Sequence, residues 1–143
     1  MTTEDNKELY RRCWLECFNQ GDLSVVDELL APNYVWHGLG QEINSHEGVR
    51  QLVVMLRSGL PDIQLSIERQ FAEGDEVATR WRIQGTHKGN LFGVAPSGKR
   101  VNITGLAISR FAQGKIAEEW EEYDQFGLLQ QIGAIPSPEQ APA

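Results

Sequence analysis

The sequence predicts an α+β domain, and three observations carry that prediction. Apolar residues recur at helical spacing through roughly the first sixty positions. Strict two-residue alternation replaces that spacing from Ile63 to Tyr123. Tight turns alone divide much of the alternating part, so its strands form an antiparallel meander segregated from the helices.

The elements follow in order. Leu9, Cys13, Trp14, Cys17 and Phe18 form the broad apolar face of a first helix, which Gly21 ends. Asp22 can cap a short second helix, with Leu23, Val26, Leu29 and Leu30 at helical spacing and Pro32 as its stop. Tyr34-Val35-Trp36-His37 reads as a short strand, and Gly38 to Asn44 as a loop. Ser45 caps a third helix whose buried face is Val49, Leu52, Val53 and Leu56, and Gly59 and Pro61 terminate it.

Ile63, Leu65 and Ile67 begin the alternation, and Glu73-Gly74-Asp75 turns the chain. Val77, Thr79, Trp81 and Ile83 form one face of the next strand. Gly85 to Gly98, with four glycines and Pro96, is a loop. The strand from Val101 to Arg110 is apolar on both faces and therefore central. Gln113-Gly114 makes a hairpin into a last strand, Ile116 to Tyr123. If that strand is regular, Ile116, Glu118, Trp120, Glu122 and Asp124 share one face. Leu128, Leu129 and Ile132 form a closing helix with Gly133 behind it. The expected layout is one domain over residues 1–135 and a flexible tail over 136–143, where Pro136, Pro138 and Pro142 fall.

Composition narrows the function classes. The chain has 143 residues, 41% hydrophobic and 23% charged, enough to bury a core unaided. Its net charge is −7 without a basic run, which argues against a nucleic-acid or anionic-membrane partner. Cys13 and Cys17 share a helix face and read as buried thiols, since helical neighbours rarely meet disulfide geometry. The polar N-terminus carries no secretory pattern and no apolar run is long enough to span a bilayer, so a cytoplasmic location is expected. His37, His46 and His87 lack zinc-site spacing. There is no GxSxG elbow and no P-loop, and Lys88, Lys99 and Lys115 fall in turns. The expectation is therefore no metal and no cofactor.

The fragments FNQGDLSVVDELLAPNYVWHG, LPDIQ, EGDEVATRWRIQGTHKG, GVAPSGKRV and QGKIAEEWEEYDQFGLLQQIG, in that order, resemble the SnoaL-like polyketide cyclases, also called ester cyclases. This is a branch of the nuclear-transport-factor-2-like superfamily, and the likeness spans roughly residues 5–134. The resemblance implies a cone-shaped, cystatin-like α+β barrel, in which three N-terminal helices pack on a curved antiparallel sheet around a deep apolar pocket. It also implies a homodimer formed through the sheet, and closure of a polyketide ring by intramolecular aldol condensation without metal, cofactor or Schiff base.

On that resemblance the acid/base is Asp124, at the end of the last strand. An apolar setting would raise its pKa into the working range. It could equally cap the closing helix. His37 would stand at the pocket mouth beside Tyr34 and Trp36, holding a substrate oxygen or serving structure alone. His87 matches the family's GTH-x-G, whose glycines admit a ligand or bend the strand. Glu118 and Trp120 match an EhW element, with Glu118 free to pair across the sheet with Arg80 or Arg110. Trp14, Trp36, Trp81 and Trp120 are candidate pocket walls or plain core. Many relatives carry His where this chain has Glu119, and the catalytic cyclases often carry His in the strand corresponding to 104–108, where this chain has none. Two readings follow: a cofactor-free cyclase or isomerase acting on an apolar carbonyl compound, or a non-catalytic module that binds a small molecule.

Overall fold

The computed structural model describes residues 1–136. Thr2 opens the first helix, α1 (Thr3–Leu15), with a capping box in which its hydroxyl accepts from the Asp5 amide and the Asp5 carboxylate accepts from the Thr2 amide. A π-helical turn, Glu16–Gln20, widens the end of this helix before Gly21 closes it at φ 70°. After α2 (Ser24–Leu29) the chain passes directly into β1 (Leu30–Gly38), a longer strand than predicted. Pro32 is tolerated there because the pairing of β1 with its neighbour is interrupted between Leu30 and Val35.

The segment expected to be a loop contains a strand, β2 (Gln41–Ile43), folded back on β1. Leu39 and Gly40, at φ 52° and 71°, form the two-residue turn between them, the left-handed geometry that matches hairpin twist. Then come α3 (His46–Gly59), with Ser45 accepting from the Gly48 amide, β3 (Gln64–Glu73), β4 (Glu76–Thr86), β5 (Arg100–Ala112), β6 (Lys115–Tyr123) and α4 (Gln125–Gln131).

The six strands make one sheet in the order β2-β1-β6-β5-β4-β3. The sheet is mixed, which corrects the antiparallel expectation: β1 lies parallel to β6. Parallel neighbours need a long crossover, and here most of the chain, from β2 to β5, provides it. The fold is α+β with the helices packed on this sheet. Helix α1 lies across β3, β4 and β6, burying Tyr10, Cys13, Trp14, Cys17 and Phe18. From β4 come Val77, Thr79, Trp81 and Ile83, and from β5 Val101, Ile103, Ala107 and Ser109. The other face of β5 leaves Leu106 and Ile108 exposed, although the strand is central as predicted. The tail expected over 136–143 lies, but for Pro136, outside the described residues.

Candidate acid and base groups in the apolar cavity

Strand β6 decides which carboxylates face the interior. Opposite Arg110 and Phe111 of β5, the chain advances from Glu118 to Ile116 and leaves Ala117 as a bulged extra residue. A bulge shifts the alternation by one, so every side chain beyond it changes face. Ile116 and Ala117 are both buried, and thereafter Glu119, Glu121 and Tyr123 point inward while Glu118, Trp120 and Glu122 point outward. The regular face expected from Ile116 to Asp124 is therefore broken, and the inward carboxylates are a pair that the alternation concealed.

An apolar cavity of about 100 Å³ lies between α1, α3, the sheet and the loop that follows β4. Trp14, Tyr34, Trp36 and Trp81 all line it, and so do Phe92 from the loop and Leu52 and Leu56 from α3. Among its lining residues the carboxylate is Glu121. The indole N–H of Trp81 donates to Glu121 Oε2 at 2.8 Å. Trp81 reaches it by crossing Gly105, its partner on β5, two residues from Ala107, which is opposite Glu121. A Cβ at Gly105 would collide with the Trp81 indole, so only glycine leaves the ring its path. Within 104–108, where the sequence has no histidine, the structure thus has a small residue that lets an indole through from β4.

Burial pushes the Glu121 carboxyl from the ordinary glutamate range up to about 8. The Trp81 and Trp36 indoles pull it down, while the charge of Glu119 pushes it further up. Glu119 lies behind the cavity wall and is 2% exposed. Its oxygens accept from the Tyr34 hydroxyl at 2.7 Å and from the Ser109 hydroxyl at 2.5 Å. Burial raises its carboxyl to about 7 against those hydroxyls and the Trp14 indole.

The other candidates sit elsewhere. Asp124 is the N-cap of α4, accepting from the Gly127 amide at 2.8 Å, and is not part of the cavity lining. His37 lies on the outer side of β1, donating from Nε2 to Glu118 at 2.7 Å and stacked on Trp120 with ring centroids 5.6 Å apart. Arg110 donates to the same Glu118, and these two partners, His37 first, hold its carboxyl below the usual range. His37 and Trp120 border a second, more open groove beside the β1–β2 turn; neither lines the apolar cavity, although Glu121 lines both. His87 is wholly buried at the root of the loop. The Ser97 amide donates to its Nδ1 at 3.2 Å, so the ring proton resides on Nε2, which donates to the Val94 carbonyl. Structure thus unites Trp14, Tyr34, Trp36 and Trp81 around one cavity and separates Asp124, His37, His87, Glu118 and Trp120 from it. Sequence reasoning missed Glu121, and the signal available was the consecutive apolar pair Ile116-Ala117 in an otherwise alternating strand.

Among the described residues no group of three or more His, Cys, Asp and Glu side chains has the geometry to hold a metal ion, and no helix is long and apolar enough to cross a membrane.

The model of one family, SnoaL-like polyketide cyclase, matches residues 8–132. The aklanonic acid methyl ester cyclase DnrD of Streptomyces peucetius is 27% identical over 137 residues, covering 92% of this chain and 94% of that protein. The nogalonic acid methyl ester cyclase of Streptomyces nogalater is 28% identical over 123 residues, covering 83% and 91%. Among solved structures, TsrD of Streptomyces laurentii superimposes with a TM-score of 0.86 at 27% identity, over 94% of this chain and 99% of that one. AclR of Streptomyces galilaeus, a hydroxylase candidate, gives 0.85 at 30% identity, over 95% and 85%.

Proposed function

We propose that this chain, which belongs to the SnoaL-like polyketide cyclase family, closes a ring in an apolar carbonyl compound by intramolecular aldol chemistry, with Glu121 as acid and base. One observation carries the reading: a carboxylate lines an apolar cavity, held there by an indole donor, and burial pushes its carboxyl up to about 8. A carboxyl poised close to neutrality can take a proton and return it within one turnover.

The reaction balances within substrate and enzyme. Ionised Glu121 takes the proton from a carbon activated by a neighbouring carbonyl, giving an enolate and a neutral carboxyl. The enolate carbon attacks a second carbonyl of the same molecule, one carbon–carbon bond forms, and an alkoxide results. That alkoxide takes the proton back from Glu121. Nothing is oxidised or reduced. The walls of Trp14, Trp36 and Trp81 offer flat apolar surface to a fused-ring substrate. Asp124 and His37 are replaced in this scheme by Glu121, because a general base must reach the proton that it abstracts.

A cavity of about 100 Å³ is smaller than the roughly 300 Å³ that a drug-sized ligand requires. Substrate entry therefore displaces part of the wall, and the loop carrying Leu91 and Phe92 is the segment outside the sheet and helices. The second element of the proposal is a homodimer joined through the outer face of the sheet, where Leu106, Ile108 and Trp120 are exposed.

The test uses the methyl esters of aklanonic and nogalonic acids, the compounds that the relatives' names specify. Wild-type protein should convert one of them or a close analogue to a cyclised isomer of unchanged mass. Glu121→Gln should lower kcat at least a hundredfold and still quench tryptophan fluorescence on binding the ester, whereas Asp124→Asn should retain turnover. Full activity in the Glu121→Gln variant would end this assignment. Ligand recovered unchanged from a panel of such esters would favour the non-catalytic binding module.

A further inference from the structure

Glu119 has a setting that packing alone does not explain. It is wholly inside the protein, yet among the described residues no Lys, Arg or His forms an ion pair or hydrogen bond with it. Its ligands are two hydroxyls on different strands, Tyr34 on β1 and Ser109 on β5. A carboxylate so placed is stabilised as an anion by donors that do not cancel its charge. It stands two residues from Glu121 on the same side of β6, and strand geometry puts such side chains roughly 7 Å apart.

We propose that Glu119, seated by the Tyr34 and Ser109 hydroxyls, is a positioning residue that acts through Glu121, an internal carboxylate whose repulsion, once it is ionised, keeps the cavity carboxylate a strong base. This deepens the cyclase reading and rests on it for its purpose, though not for its test. At an effective dielectric of about 20, unit charges roughly 7 Å apart repel enough to change an ionisation constant more than tenfold. The surroundings leave that repulsion uncompensated. Around the two carboxylates stand Tyr10, Cys13 and Trp14 from α1, Tyr34 and Trp36 from β1, Trp81 from β4, Ser109 from β5, and Glu122 and Tyr123 from β6. None of these side chains is cationic.

Trp81 provides a reporter that needs no substrate, since its indole N–H donates to Glu121. In protein labelled with 15N-tryptophan, the Trp81 indole resonance, assigned by its loss in Trp81→Phe, should titrate with Glu121 and stop titrating in Glu121→Gln. In Glu119→Gln its midpoint should fall by about one pH unit or more. Tyr34→Phe and Ser109→Ala each remove one donor to Glu119, so that Glu119 holds its proton to higher pH, and each should move the midpoint the same way. A role confined to packing would leave the midpoint in place. An unchanged midpoint in Glu119→Gln overturns the proposal. So does an unchanged midpoint in both donor variants should Glu119→Gln not fold, or a wild-type resonance that does not titrate. Because no ester is present, failure of this titration is distinct from failure of the turnover assay.

Discussion

Two interior carboxyls, Glu119 and Glu121, make the protein's stability depend on pH in an unusual sense. In the unfolded chain both titrate near 4.3, whereas in the folded protein they titrate near 7 and near 8. Between those limits the native state holds more protons than the unfolded state, so stability falls as pH rises. It is fully present below about pH 4, declines through pH 5 to 8, and levels off above roughly pH 9. For Glu119 alone the decline is on the order of 3 kcal/mol. Urea unfolding should therefore show a midpoint that drops from pH 5 to pH 8. The double variant Glu119→Gln/Glu121→Gln should flatten most of that slope and be the more stable protein at pH 8. A wild-type midpoint that is level across this range would mean that the carboxyls are better solvated than their burial indicates. The same pair shows what was hard to read at this scale. Glu118, Glu119, Glu121 and Glu122 are chemically identical, and only the extra residue Ala117 decides which of them leave water. Gly105 hid its meaning for the same reason, because the indole that needs its space arrives from another strand.

Elements were legible where one pattern ran uninterrupted. The helical spacing of Val49 and Val53, the alternation of Val77, Thr79, Trp81 and Ile83, and the Ser45 cap all reappear in the structure, since each depends on neighbours in sequence. Strand β2 and the parallel placement of β1 were not legible. They depend on what lies beside the strand in space, and the three residues of β2 have no burial pattern of their own. The loop after β4 belongs between these cases, because its glycines announced a loop without saying what holds it. His87 holds it, with both ring nitrogens engaged, its amide bonded to the Lys99 carbonyl and its carbonyl accepting from Gly98. Leu91 and Val94 exchange backbone bonds at the tip, and Phe92 reaches the cavity. Replacing His87 by Ala removes the ring's hydrogen bonds to Ser97 and Val94, worth about 0.5–1.5 kcal/mol each. Amide hydrogen exchange at Leu91 and Val94 should then accelerate at least tenfold while the β4–β5 ladder stays protected, and ester binding should become faster. Unaltered exchange at those two amides would show that the Leu91–Val94 bridge holds the loop without the histidine.

For the molecule as a whole, the sheet divides two tasks. Its inner face and α1 enclose the cavity, while its outer face presents apolar residues to water. Ile108 and Trp120 are directly opposed on β5 and β6 and are 47% and 39% exposed, and Leu106, two residues along, is 56% exposed. Beside them lie Arg80 and Arg82 on the β4 flank and Glu118 and Glu122 on the β6 flank. A two-fold axis through such a face lays apolar on apolar and turns the arginines of one copy toward the glutamates of the next, which is the self-complementarity an isologous interface demands. His37, stacked on Trp120 and bonded to Glu118, would then brace the rim of this contact. Sedimentation equilibrium at micromolar concentration should give twice the 16.1 kDa chain mass. Ile108→Glu should reduce that to one chain mass, because it buries a charge against its own symmetry mate at the centre of the contact, where an unpaired charge costs several kcal/mol. The circular dichroism of the variant should match wild type, since residue 108 faces away from the core. Wild-type protein that sediments as a single chain would remove the second copy and leave Trp120 and its neighbours as an open surface. A dimer that survives Ile108→Glu would move the contact to another face.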